Sequence, residues 1–513
     1  MDLLGQFHTT AHPNYLLSQC SSTVVALKDP RFVNPDYAVI HAPLSLTPVP
    51  YPRARFELAQ QVMPLFNTLV DAVAADESYL EATLRPAAAQ DAFTGRLLGC
   101  LLATRPERQA LRGSGREVVL GVHRSDYMLD APSGKFLQVE LNTIASSFGC
   151  LSALMTRLHG YMASGRISGL LPHAALKKGA SHVRNAISSR IAVLCKLLKP
   201  YPNLVFSGSC PQQDASRLPP NPTLEHIPDA IAAAATASGH VAAGGVVVMV
   251  WIQLQLWERH RLRTLRLTLA DIAAGGRLDA ASGTLTLPGG QPAAVFYFRA
   301  GYTPADYPSE AEWAARELIE RSNAAKCPTV AYQLAGTKKV QQDLATPGVL
   351  ERFLPPATAA ADAALLREFF AGLWSLDPRD LAADAGGAAA AVRDAIARPE
   401  AYVLKPQREG GGNNLYGEEL RAALQQGGEE LSAYILMQRI LPPVNRSVLV
   451  RNGQWQEAET LSELGIYGTF VRHNNAVVVN QQSGHLVRTK TASSNEGGVA
   501  AGFAVLDSPY LVE

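Results

Sequence analysis

Cysteine is scarce and scattered in this chain of 513 residues. The six cysteines (Cys20, Cys100, Cys150, Cys195, Cys210 and Cys327) form no C-x-x-C pair and no tight Cys/His group. That spacing argues against a structural zinc site and against a disulfide scaffold. An excess of one charge is lacking too. Lys and Arg number 46 against 45 Asp and Glu, so nothing pulls the chain generally toward nucleic acid or anionic lipid. Long apolar runs are also missing: residues 241–257 are interrupted by Gln253 and Gln255 and are short for a membrane span. Residues 1–19 show no basic stretch followed by an apolar one, so no secretory signal is expected and the expected compartment is the cytoplasm. Neither G-x-x-x-x-G-K-[ST] nor H-E-x-x-H occurs, and the histidines do not cluster. Hydrophobic residues make up 47% and charged residues 18%, a globular balance. At about 150 residues per domain, the length predicts two to four domains.

The patterns that are present change along the chain. Val62, Phe66, Leu69 and Val73 recur every three to four positions, which predicts helix. Pro52 suits a helix start and Pro64 predicts a kink. From residue 117 the period changes. A Val-rich run at 118–122, the turn cluster Asp130-Ala-Pro-Ser-Gly134 and the alternating stretch 135–142 predict a hairpin. Its second strand should carry Leu137, Val139 and Leu141 on one face and Gln138, Glu140 and Asn142 on the other. Residues 151–200 read as helix and 201–225 as exposed loop. Strands at 244–250 and 293–298 with a helix between them predict a small α/β unit near 220–315. Residues 356–400 are Ala-rich helix and loop. After 401 the pattern is antiparallel, with hairpin turns at Asn452-Gly453 and Asn474-Asn475.

Four stretches carry candidate chemistry. The first, Lys405-Pro-Gln-Arg-Glu-Gly-Gly-Gly-Asn-Asn-Leu-Tyr416, follows a strand. Its glycines let backbone amides approach an oxyanion, Lys405 and Arg408 add positive charge, and Glu409 offers an oxygen to Mg²⁺. The alternative is a flexible polar loop. The second is Glu140-Leu-Asn142, which suits a hard cation or is simply a solvent-facing pair. Arg124, on the preceding strand, can hold a carboxylate bidentately or pair with Asp126 at the surface. The third is Arg488-Thr-Lys490 ahead of the glycine-rich 495–502 segment, a closing loop over phosphate or carboxylate or a mobile one. The fourth is Gln333 to Gln342, read as a Gly-Thr entry to a helix with Lys338 in its first turn.

With these segments in order, the chain resembles the eukaryotic-type glutathione synthetases, a branch of the ATP-grasp ligases. The resemblance rests on residues 139–144, 321–342, 405–419, 462–466 and 488–509 and covers most of 1–170 and 285–513. It implies an α/β (α+β) fold: an ATP-grasp core with antiparallel sheets and glycine-rich lid loops at 1–203 and 316–513. A smaller α/β substrate-binding domain would be inserted at 204–315, with a lid region at 356–400. It implies joining γ-glutamylcysteine to glycine through an acyl phosphate, with ATP as co-substrate, Mg²⁺ as cofactor and a homodimer as assembly. No nucleic acid or membrane partner is implied.

By the same resemblance Glu140, Asn142 and Glu409 hold the metal. Glu140, Lys338, Lys405, Pro406, Gln407, Arg408, Glu409, Gly410, Gly411, Gly412, Asn413, Asn414, Tyr416, Met437, Gln438, Arg439, Ile440, Glu463, Lys490 and Glu496 surround ATP. Arg124, Ile144, Ala145, Ser146, Ser147, Arg299, Ala300, Gly301, Tyr302, Arg488, Val499 and Ala500 meet the peptide and glycine. Arg124, Arg488, Lys338 and Lys405 carry the catalytic charge.

The chain departs from the family in two places. Val250 runs directly into Trp251, where the family places a segment that contacts the γ-glutamyl end, and residues 178–222 look like an addition. A mis-spliced or mis-predicted transcript explains both, with a divergent isoform as the rival. These departures carry the alternative functions: an ATP-binding relative with weak or no ligase activity, or a ligase for another amino acid acceptor.

Overall fold

The computed structural model describes residues 42–163, 214–248, 253–407, 413–451, 454–494, 498–499 and 502–513. The Val250–Trp251 junction and most of the 178–222 stretch therefore lie outside the described residues, as do Asn452 and Gly453.

In chain order the described strands begin with β1 (Leu44–Ser45), β2 (Val49–Pro52), β3 (Val118–Asp130), β4 (Lys135–Asn142), β5 (Val246–Val248), β6 (Thr264–Leu265), β7 (Arg277–Leu278), β8 (Leu285–Thr286) and β9 (Ala293–Tyr297). They continue with β10 (Ala325–Cys327), β11 (Leu373–Ser375), β12 (Tyr402–Pro406), β13 (Tyr434–Gln438), β14 (Asn445–Arg451), β15 (Gln454–His473), β16 (Ala476–Thr491), β17 (Ala504–Asp507) and β18 (Pro509–Val512).

One mixed sheet dominates, in the order β14-β1-β17-β16-β15-β3-β10-β9-β5-β6, with β4 paired to β3. The strands on either side of both expected turns pair antiparallel: β14 with β15, and β15 with β16, the latter through Asn474-Asn475. At β3 the sheet changes character. β15 runs antiparallel to it and β10 parallel. The strands of the expected α/β unit, β9, β5 and β6, thus continue the main sheet through β10.

Helices cover both faces. One layer comprises helices Arg53–Gln61, Met63–Ala75, Glu77–Gln90 and Ala92–Ala103, joined by Val330–Ala335. It packs Phe56, Phe66, Leu69, Leu80 and Leu84 with Tyr127, Leu464, Ile466 and Val487 of the sheet. The opposite layer sets Met155, Ile227 and Ile231 against Leu120, Val122, Tyr467 and Val471. The kink expected at Pro64 is a break: one helix ends at Gln61 and the next starts at Met63, leaving Pro64 in the first turn. An amide there has no partner to lose.

A second sheet, β11-β13-β12, supplies the surface that completes the site. Leu404 and Leu436 on one face pack with Ala391, Ala395, Leu420 and Leu424 of helices Ala388–Ala397 and Gly417–Gln426. Val403, Ile435 and Met437 on the other face pack with Leu137 of the β3–β4 hairpin. The Ala-rich 356–400 stretch is helix and loop as expected, except that Leu373–Ser375 forms β11.

Candidate active site

The site lies where the small sheet meets the β3–β4 hairpin. The hairpin register pairs Arg124 with Asn142 and Asp126 with Glu140, so these four share one face. Just beyond, the register shifts and Tyr127 pairs with Gln138. Val139 is the extra residue of a bulge. The bulge moves Gln138 to the opposite face, where its Nε2 donates to Ser125 Oγ at 2.6 Å. The expectation that Gln138 joins Glu140 and Asn142 is corrected on that ground. The bulge also leaves the Val139 carbonyl facing outward, and it accepts a bond from Lys405 Nζ at 2.8 Å.

Glu140 is the electrostatic centre. Lys338 Nζ stands 3.4 Å from its Oε2. Lys338 opens the helix Lys338–Leu344 after Thr337, the Gly-Thr entry read from the sequence. Burial pushes the Glu140 carboxyl upward, but Lys338, Lys405, Arg488 and Arg124 outweigh it and hold the group well below the usual carboxylate range. It is ionised at every physiological pH. Glu463 moves the other way: burial and the charges of Asp126 and Glu140 raise it against the pull of Arg488.

Arg124 and Asp126 pair through Nε–Oδ1 at 2.6 Å and Nη2–Oδ2 at 2.8 Å. Of the two readings of Arg124, the pair with Asp126 forms, but it is buried rather than at the surface, with Arg124 5% and Asp126 0% exposed. Arg488 Nη2 donates to Asp126 Oδ2 at 2.7 Å and also to Glu463, its partner across β15 and β16. Lys490 follows two residues on, on the same face of β16. The centre is thus a cationic surface around three carboxyl groups, Asp126, Glu140 and Glu463, a suitable host for phosphate and carboxylate groups.

The nucleotide-side residues gather on β12, β13 and their ends. Pro406 closes β12, and Gln407 Oε1 accepts from the Lys339 amide at 3.0 Å. Met437 and Gln438 end β13, with Arg439 and Ile440 just past it. The Arg439 guanidinium lies 5.8 Å over the Tyr416 ring, and Asn414 Nδ2 donates to the Tyr416 hydroxyl at 3.3 Å. Asn413 is exposed at the edge of the loop. Arg408, Glu409, Gly410, Gly411, Gly412, Glu496 and Ala500 lie outside the described residues.

The peptide-side residues form a second group beside Arg124. Arg299 donates to the Ala145 carbonyl at 2.7 Å and to Ser147 Oγ at 2.9 Å. Arg124 Nη1 and the Tyr467 hydroxyl both donate to the Ser147 carbonyl, the former at 3.4 Å. Ala145 has φ 51°, the left-handed region, a conformation stored in the loop that carries Ile144, Ser146 and Ser147. Gln333 Nε2 holds the Gly301 carbonyl at 2.9 Å, fixing the 299–302 turn with Ala300 and Tyr302. Val499 is buried in the core that holds Met155, Ile227 and Leu120.

Sequence reasoning missed Tyr467, Gln333 as an anchor, and Lys339, whose buried ammonium donates to Gln342 at 2.8 Å and Ser375 at 2.7 Å. Nothing local marks Tyr467, since its role follows from β15 crossing β3. Among the described residues no three His, Cys, Asp or Glu side chains gather as a cage for a metal ion. No described helix is long and apolar enough to cross a membrane.

Known proteins resemble this chain in sequence and in fold. A family model, the eukaryotic glutathione synthase ATP-binding domain, matches residues 14–511. The chain is 44% identical over 494 residues to the chloroplastic glutathione synthetase of Solanum lycopersicum, covering 93% of this chain and 79% of that protein. It is 38% identical over 489 residues to the glutathione synthetase of Homo sapiens, covering 92% and 91%. The fold matches a glutathione synthetase-like effector from Globodera pallida, solved in its apo form, with a TM-score of 0.63 at 20% identity over 93% and 92% of the two chains. With a family model spanning almost the whole sequence and relatives at this identity over their length, the chain belongs to the eukaryotic glutathione synthases.

Proposed function

We propose that this chain is an ATP-dependent glutathione synthetase that joins γ-glutamylcysteine to glycine. The observation that carries the reading is the convergence of Lys338, Lys405, Arg488 and Arg124 on Glu140. This is a site for gathering two anionic substrates at once. A carboxylate oxygen of the dipeptide attacks the γ-phosphorus of ATP, ADP leaves, and an acyl phosphate forms. The glycine amine then attacks the acyl carbon, phosphate departs with the C–O bond, and the amine loses a proton. These steps need alignment and charge neutralisation more than a protein nucleophile. Lys338 and Lys405 neutralise phosphate, and Arg124 and Arg488 orient the dipeptide carboxylate. Arg299 and the 144–147 and 299–302 segments enclose the peptide.

The donor set fits Mg²⁺, which takes one or two protein oxygens and fills its remaining positions from phosphate and water. Glu140, ionised, and Asn142 would hold it, with Glu409 as a further ligand. Bound there, the ion would draw charge from the transferring phosphoryl group. We assign the ATP-grasp core to 1–203 and 316–513, with the substrate-binding portion at 204–315, the 356–400 stretch as lid region, and a homodimer as assembly. The non-ligating alternative is not favoured, because the relatives at 38–44% identity carry glutathione synthetase names over most of this chain. Two plant relatives carry chloroplastic names, so fluorescent fusion of the full chain is the test of the cytoplasmic expectation.

The testing experiment incubates the purified full chain with ATP, Mg²⁺ and γ-glutamylcysteine, with and without glycine. Tripeptide and ADP in equal amounts, both requiring glycine, are expected. ATP binding with no tripeptide would overturn the proposal.

A further inference from the structure

We infer that Asp126 is the positioning residue of the centre, setting the direction of the Asn142 amide and the edge that each arginine offers to substrate. This rests on the Mg²⁺ assignment above. The Asp126 carboxylate is buried and accepts four bonds: Arg124 Nε at 2.6 Å and Nη2 at 2.8 Å, Arg488 Nη2 at 2.7 Å, and Asn142 Nδ2 at 2.9 Å. Asn142 Nδ2 also donates to the Arg124 carbonyl at 3.3 Å. With its NH₂ group held by two acceptors on β3, the amide turns Oδ1 away from β3. A flipped amide would set that oxygen against a carboxylate and a carbonyl at once. Asn142 is thereby fixed as an oxygen donor beside Glu140, the cross-strand partner of Asp126.

The same carboxylate takes the Nε–Nη2 edge of Arg124. Nη1 is left directed at the Ser147 carbonyl, in the peptide-side group. Space for the arrangement comes from β15, where Gly465 pairs with Asp126. A Cβ at Gly465 would lie 2.6 Å from Asp126 Oδ1 and 2.7 Å from Arg124 Cδ. Neither atom is a flexible tip in this packing, so a side chain there would displace the pair.

The test uses calorimetric titration of the full chain. Mg²⁺ is titrated in the presence of a non-hydrolysable ATP analogue, and γ-glutamylcysteine is titrated separately. Asp126→Asn should weaken both titrations at least tenfold, because it puts an NH₂ group against other donors. The double variant Asp126→Asn with Asn142→Asp exchanges amide and carboxylate. It should recover most of the Mg²⁺ affinity and none of the dipeptide affinity. Gly465→Ala moves the pair without removing a charge and should weaken both titrations, which carries the test if Asp126→Asn does not fold. Glu140→Gln is the reference. Weakened Mg²⁺ binding in Glu140→Gln beside unchanged binding in Asp126→Asn or Gly465→Ala overturns the inference, as does a double variant with no recovery. Unchanged Mg²⁺ binding in Glu140→Gln overturns the metal assignment itself.

Discussion

Two buried carboxyls, Glu140 and Asp507, meet opposite fates, and the difference is local. Glu140 has Lys338 at 3.4 Å and three further cations around it, so its ionised form wins despite burial. Glu140→Gln keeps the shape and removes the charge. Turnover should fall about 100-fold or more, in line with loss of a charge-stabilising group, with the fold's melting temperature little changed. Steady-state phosphate release and thermal denaturation check this together. Asp507, buried at the end of β17, shows the reverse case. Burial raises it to about 7, partly opposed by bonds from Thr489 and the Ser508 amide. Its folded pKa exceeds its unfolded value of about 3.9. Its stabilisation is therefore complete below about pH 4 and is lost as pH rises to about 7, at up to about 1.4 kcal/mol per pH unit. Asp507→Asn should remove that slope: compared with the native chain, it should gain stability between pH 5 and pH 8. Urea midpoints at the two pH values measure it. Glu140, Lys338 and Lys405 were legible in the sequence because charge and glycine are local. Asp126 was legible only as a partner for Arg124, since its burial is made by β15 and β16, more than 300 residues further along.

Elements were readable where the signal was periodic or carried by turn residues. The β3–β4 hairpin, the Asn474-Asn475 turn and the helix opened by Lys338 stand where the pattern put them. The bulge at Val139 was not readable, because an alternating pattern has no mark for one extra residue. Yet that bulge frees the carbonyl that meets Lys405. The approach of the Lys338 helix to the hairpin is equally tight. A Cβ at Gly336 would lie 2.4 Å from Thr143 Oγ1 and 3.1 Å from the Leu141 carbonyl. Gly336→Ala should cost about 1–3 kcal/mol by overpacking and raise the KM for ATP by shifting Lys338. Adding Thr143→Ala should return part of both losses. Chemical denaturation and ATP kinetics on the single and double variants decide it.

At the scale of the whole molecule, the site is assembled from distant parts of the chain. β3 and β4 supply Arg124, Asp126, Glu140 and Asn142, a central helix supplies Lys338, the small sheet supplies Lys405, and the β15–β16 hairpin supplies Glu463 and Arg488. The alternation of patterns made the α/β unit near 220–315 legible and the family resemblance implied the fold class, but the order of strands was not legible. That β9 and β5 join β3 through β10 depends on parallel pairings between segments separated by up to some two hundred residues, and composition does not encode partners. The small sheet's contact with the hairpin should matter to chemistry more than to stability. Lys405→Met removes the bond to the Val139 carbonyl and one phosphate-facing charge. It should lower kcat/KM for ATP by about 10²-fold or more while leaving the denaturation midpoint nearly unchanged.

On the function proposed, this assembled cationic surface directs a peptide carboxylate onto the γ-phosphorus of ATP. Oxygen-18 in the cysteinyl carboxylate of γ-glutamylcysteine tests it directly. One labelled oxygen should appear in the released phosphate for each tripeptide formed. Tripeptide made with unlabelled phosphate would contradict attack by the peptide carboxylate.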